Sequence, residues 1–240
     1  MKALIAGLLL LVACDHDIEM FPVMPGGGGG SSGTGFVDAG FGGDAGDAGN
    51  TINARVCLLV DARFPTTCAN TGAGNLMVSL GSFTATTADD GSFTIMRPTS
   101  SNLVWRVSGD SVFPSAMSFG TLTSIPALDL AVYLEMVGAN NVTPPVEDGQ
   151  IIAKVLRGTT PISNVTATTD PISDVPPLYD GGDAVHWQGN ATGQLGSIWV
   201  PGVRPPSAQL NLRVGTTDLA PVVGIPLFQS TVTFVFAEFP

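Results

Sequence analysis

From Asn53 onward the chain never keeps a helical period for a dozen residues. It moves in short alternating segments broken by turn residues. Phe93 and Ile95 fall on one face of Ser92 to Met96. Leu103, Trp105 and Val107 share a face, with Arg106 opposite. Leu128, Leu130, Val132, Leu134 and Met136 alternate with Asp129, Ala131, Tyr133 and Glu135. A repeat of two is the mark of a half-buried strand, because successive side chains point to opposite faces. Further strands are expected over Ala54 to Val60, Met77 to Thr87, Ile151 to Leu156, Asn164 to Thr168, Gly196 to Val200, Leu210 to Val214 and Thr231 to Phe236. Many short strands with turns between them predict an all-β chain built as antiparallel sandwiches.

The β-rich part divides in two. Residues 140–148 hold Pro144-Pro145 and Glu147-Asp148, ending one run of strands before the next begins. This predicts a first small sandwich over 52–139, a linker over 140–148 and a second sandwich over 149–240, each near the size of one such domain. Residues 14–51 read differently. They contain Gly26 to Gly30, Ser31-Ser32-Gly33 and Gly42-Gly43-Asp44-Ala45-Gly46-Asp47-Ala48-Gly49, with no Lys or Arg. Such sequence is expected to be a disordered tether, reaching on the order of 30–35 Å for its length. The pattern Gly29-Gly30-Ser31-Ser32-Gly33 matches a nucleophile elbow only in letters, since it lies in low complexity rather than between a strand and a helix.

The first residues form a leader. Lys2 precedes an unbroken apolar run from Ala3 to Ala13, and the run stops at Cys14. The run is too short to span a bilayer as a mature helix. Leu11-Val12-Ala13-Cys14 resembles the lipobox of bacterial lipoproteins. That resemblance implies a signal peptide over 1–13, cleavage before Cys14 and acylation of the Cys14 sulfur, so that membrane lipid is the first partner. Two or more acyl chains give stable anchoring where one gives only reversible binding. The implied location is the bacterial cell envelope, with the outer membrane or cell surface favoured over the inner membrane.

Charge agrees with export. The formal net charge is −11, and after Lys2 the only lysine is Lys154. Nucleic acid and anionic lipid surfaces both require clustered Lys and Arg, so nucleic acid is excluded as a partner. A weak internal repeat links the halves: Thr87-Ala88-Asp89-Asp90-Gly91-Ser92-Phe93-Thr94-Ile95 against Thr192-Gly193-Gln194-Leu195-Gly196-Ser197-Ile198-Trp199-Val200. In the first, Asp90-Gly91 reads as a tight hairpin turn. Together with Gly149 to Val155 and Thr160 to Val165, these stretches resemble the transthyretin-like, carboxypeptidase-regulatory-like domains. The resemblance implies a small antiparallel sandwich of about seven strands in each half, with no catalytic residues of its own.

Few side chains carry chemistry. Cys57 and Cys68 are separated by ten residues. A disulfide is expected, worth about 3 kcal/mol in an oxidising envelope; two buried thiols or a metal site are the alternatives. His16 lies in the tether, and His186 is the only histidine in the β-rich part. The stretch from Thr169 to Asn190 is long for a sandwich loop and offers Tyr179, Asp180, Asp183, His186 and Trp187 as candidate ligand-binding residues. The aromatics could stack on a sugar or anchor a protein. Asp180 and Asp183 lack the register of a calcium loop, so no metal and no cofactor is expected. The reading is a non-catalytic lipoprotein presenting sandwiches for binding or adhesion to a protein or carbohydrate at the cell surface. The alternatives are an accessory subunit of an envelope assembly and a small hydrolase with an atypical site near His186.

Overall fold

The computed structural model describes residues 51–69, 73–120 and 122–240. The leader, Cys14 and the tether to residue 50 lie outside the described residues. The first half holds β1 (Thr51–Leu59), β2 (Met77–Leu80), β3 (Phe83–Thr86), β4 (Ser92–Met96), β5 (Val104–Gly109), β6 (Val112–Ser118) and β7 (Ser124–Asp129). One helix follows, α1 (Leu130–Ala139). The second half holds β8 (Gly149–Arg157), β9 (Thr160–Pro161), β10 (Val165–Asp170), β11 (Leu178–Tyr179), β12 (Ser197–Val203), β13 (Ser207–Val214), β14 (Thr217–Asp218), β15 (Val222–Pro226) and β16 (Val232–Phe239). The chain is all-β, with sheets stacked as sandwiches.

The two halves repeat one topology. In the first, β1 pairs antiparallel with β4 and parallel with β7, while β5 pairs antiparallel with β2 and β6. In the second, β8 pairs antiparallel with β12 and parallel with β16, while β13 pairs antiparallel with β10 and β15. The segments aligned in sequence make matching bonds. The Thr87 amide donates to Leu76 O and its hydroxyl accepts from the Leu76 amide, both at 2.9 Å. The Thr192 amide donates to Val165 O and its hydroxyl accepts from the Val165 amide, again both at 2.9 Å. Gly91 O accepts from Val56 N at 2.9 Å, and Gly196 O from Val155 N at 2.8 Å. Both glycines have positive φ, and a Cβ on either would lie within 2.8 Å of the partner strand's carbonyl oxygen. Only glycine fits there.

Three expectations are corrected. Leu128 to Met136 is not one strand: β7 ends at Asp129 and α1 begins. The Asp129 carboxylate accepts from the amides of Ala131 (2.8 Å) and Val132 (3.3 Å), which caps the helix. Asp90-Gly91 turns the chain from β3 into β4, but those strands are not hydrogen-bonded neighbours, so the turn is a corner between two parts of one sheet rather than a hairpin. The pairing is not purely antiparallel either, since β1–β7, β8–β16 and β6–β16 run parallel.

The last of these pairs joins the halves. The N-terminal end of β6 pairs with β7, and its C-terminal end pairs with Val232 to Phe234 of β16. One mixed sheet therefore crosses the 140–148 segment, and the described residues lie in a single compact unit. Three cores result. Val56, Ile125, Val78 and Trp105 fill the first sandwich. Ile151, Val200, Leu210 and Val235 fill the second. The third lies between them: Cys57, Leu59 and Leu128 meet Ile152, Trp199 and Phe234, with Tyr133 and Met136 of α1 as a lid. This explains why β12 is buried at every position, as a strand covered on both faces must be.

Candidate functional site

The Thr169 to Asn190 stretch spends most of its candidate side chains on its own fold. Tyr179 is buried against the second core, and its hydroxyl accepts from the Ala167 amide at 3.1 Å. Burial pushes its phenol up in spite of that bond. Asp180 is buried and clamps a turn, accepting from the amides of Gly193 (2.6 Å) and Leu195 (2.7 Å). Trp187 is buried edge-on to Trp199, ring centroids 6.0 Å apart. Its amide donates to Asn140 Oδ1 at 2.8 Å, and Asn140 Nδ2 returns to Val185 O at 2.7 Å, which seats the loop on the end of α1. The aromatic platform expected at Tyr179 and Trp187 is thus turned inward.

His186 and Asp183 remain at the surface, with Nδ1 to Oδ1 at 2.8 Å. Bonds from the His186 amide and ring, then from the Val185 amide, pull the Asp183 carboxyl down to about 2. Among the described residues no serine hydroxyl bonds His186, and His186 lines none of the concavities described below.

The Cys57–Cys68 disulfide is present, Cα atoms 4.8 Å apart. Its loop does more than close an edge. Arg63 pairs with Asp61 at 2.8 Å and donates Nη1 to Gly182 O at 2.8 Å. The Arg63 carbonyl accepts from Lys154 Nζ (3.0 Å) and Ser197 Oγ (2.9 Å) of the second half. Burial draws the Lys154 ammonium down, against the pull of Asp180 and Asp61. The loop is a latch between the halves. Lys154, solitary in sequence, was the only sign of it.

Sequence reasoning missed a further concavity. Where β15 faces the first half, two lobes open side by side. One, of about 1060 Å³, is lined by Arg97 to Val104, Ser118, Phe119, Ser207 and Val223. The other, of about 600 Å³, is more apolar and includes Met117, Leu122, Leu156, Val223 and Phe236. They share Ser118, Val223 and Gly224. Arg97 is the sole ionisable side chain of the larger lobe. Its guanidinium lies 5.5 Å from the Phe119 ring centroid, a cation–π distance, and has no ion-pair partner among the described residues. Thr99, Ser100, Ser101, Asn102 and Ser207 line the same lobe and add neutral polar side chains to it. This arrangement offers an anion a fork of donors, with neutral hydrogen-bonding groups and an apolar wall alongside. Each contributor comes from a loop or strand end, so no local motif announces the cleft.

No family model matches the chain, and no curated protein matches it. A solved structure of family 41 carbohydrate-binding modules from streptococcal virulence factors, described for alpha-glucan recognition, is similar over 76% of this chain and 93% of that one. The identity is 9% and the TM-score 0.24, a likeness too slight to bear on fold or ligand.

Proposed function

We propose that this chain is a non-catalytic envelope lipoprotein, held by lipid on Cys14, that binds its partner in the cleft between its two fused sandwiches. The observation that carries the binding reading is Arg97: a cation with no ion-pair partner among the described residues, in a lobe with no other ionisable side chain, on a chain with net charge −11. The partner is a surface carbohydrate or protein that brings an anionic group to it. The anchor rests on the leader sequence. Mass spectrometry of the mature N-terminus, with and without globomycin, tests it: an acylated Cys14 is expected, and an unmodified one discards the anchor. Capture from envelope extracts tests the cleft. Arg97→Ala together with Phe119→Leu is expected to lower capture at least tenfold, and undiminished capture moves the site elsewhere.

One observation favours the accessory-subunit reading. Beyond Phe234, β16 pairs only with β8 among the described residues, and its other edge runs along the apolar lobe. A strand from a partner chain would complete that edge. Recovery of a stoichiometric protein partner whose cross-links map to residues 235–239 would support it over the carbohydrate reading.

A further inference from the structure

The free edge of β16 is recessed. Val235 to Phe239 pair only with β8 among the described residues, because pairing with β6 stops at Phe234. The apolar lobe of about 600 Å³ follows that edge and is walled on both faces of the sheet. Phe236 and Glu238 lie level with Lys154 and Leu156 of β8, and all four line the lobe from one face. Val235 points to the opposite face, where it shares the second core with Ile225 of β15. Val222 to Ile225 line the lobe from that side, and Leu122 closes in from the first half. Leu122 is 42% exposed and Val223 65%, so the walls carry apolar surface that no described residue covers. A strand edge with unused backbone groups and apolar walls is a template for one further strand. The walls admit a single extended segment, whereas the sheet edge of a second copy would meet β15 and Leu122 first.

The chain itself supplies such a segment. Ile18, Met20, Phe21, Val23 and Met24 crowd into one short stretch after Cys14. Between Pro25 and Asn50 only Phe36, Val37 and Phe41 are large and apolar, and Gly35 and Gly40 break their run. The place where the described chain begins also fits. Thr51 pairs with Met96, the neighbour of Arg97 in the larger lobe. Arg55 pairs with Ser124, and its amide donates to Thr123 O at 2.8 Å, next to Leu122 of the apolar lobe. The described chain thus starts beside both lobes. Gly-rich sequence as long as residues 25–50 reaches on the order of 25–30 Å, which brings Met24 within range of the edge. We propose that residues 18–24 dock as an added strand on Val235 to Phe239 of the same chain. Alternation sets Ile18, Met20 and Met24 on one face and Phe21 and Val23 on the other, one set for each wall. Pro22 has no N–H to give, but an added strand is itself an edge: Pro22 faces away from β16 while the Phe21 and Val23 amides face it. The segment then holds the edge closed until the strand of a partner displaces it.

Amide hydrogen exchange of the whole chain from residue 14 provides the test, with Cys14→Ser to leave it unacylated. Residues 18–24 should exchange about tenfold more slowly than the same sequence as a free peptide. Met20→Asp together with Phe21→Asp should abolish that protection and speed exchange at residues 235–239 by a similar factor. These substitutions lie outside the described sheets, and unchanged exchange in β1, β5 and β13 checks that the fold survives them. Free-peptide exchange at 18–24, or a variant whose residues 235–239 exchange as before, would overturn the proposal. Protection that grows with protein concentration would overturn it in favour of segments traded between copies. Protection of 18–24 that appears only with phosphatidylethanolamine–phosphatidylglycerol vesicles would overturn it in favour of a lipid surface.

Discussion

Asp183 accepts from the Val185 amide at 3.1 Å, the His186 amide at 2.9 Å and His186 Nδ1 at 2.8 Å. A carboxylate that accepts this many bonds holds its proton weakly, which is why its value falls to about 2. Because the folded value is depressed, the turn's stabilisation is complete above the ordinary carboxylate value of about 4 and is lost as pH falls through about 2. An NMR titration should show the His186 amide resonance moving with a midpoint near 2; a midpoint near 4 would mean that the turn bonds do not form in solution. Asp readily bonds its own backbone two residues on, so the turn follows from the residue type. The inward direction of Tyr179 and Trp187 was not legible. Their partners are Ala167 and Trp199, and a loop aromatic looks the same in sequence whether it covers its own core or awaits a ligand.

At the scale of the element, strands were legible in the alternating runs and also in the buried runs of β8, β12 and β16, and the misreading fell where one apolar run fits two periods. β4 alternates exposed and buried residues along its whole length, and β10 does the same, as their sequences require. Leu130 to Ala139 is different. Its period-two pattern of leucines and valines coexists with Tyr133 and Met136 three apart, and those are the two positions that α1 buries. With so many apolar residues, either period fits, and the outcome rests on the Asp129 cap and on the greasy slot between the sandwiches. Asp129→Ala should therefore cost about 1 kcal/mol, read as a lowered midpoint in urea with unchanged slope. A neutral result would place the helix's stability wholly in its packing. The repeat was legible for a better reason. Thr87 and Thr192 each close the same pair of backbone bonds, so the same local letters recur wherever that corner is built.

The whole molecule differs from two beads on a string because its halves share polar and apolar structure that neither can complete alone. Trp199 Nε1 donates to Gln150 Oε1 at 2.9 Å, and Gln150 Nε2 donates to the Tyr133 hydroxyl at 2.7 Å, so α1 is wired to the second sandwich through a buried relay. Arg106 of β5 lies 4.5 Å from the ring centroid of Phe228, just before β16. The disulfide loop grips Lys154 and Ser197 from the other side. The linker composition at 140–148 gave a boundary but could not reveal that β16 turns back to pair with β6, because strand partners distant in sequence leave no local signature. Because this core is shared, the halves cannot unfold separately. Separation would expose Trp199, Ile152 and Phe234 to water and take the Tyr133 hydroxyl from Gln150 Nε2. Calorimetry should then show one transition whose measured enthalpy equals its van't Hoff enthalpy, and residues 149–240 expressed alone should fail to fold. Two resolved transitions, or a soluble and cooperative second half, would mean that the interface is a docking of finished domains rather than a core they build together.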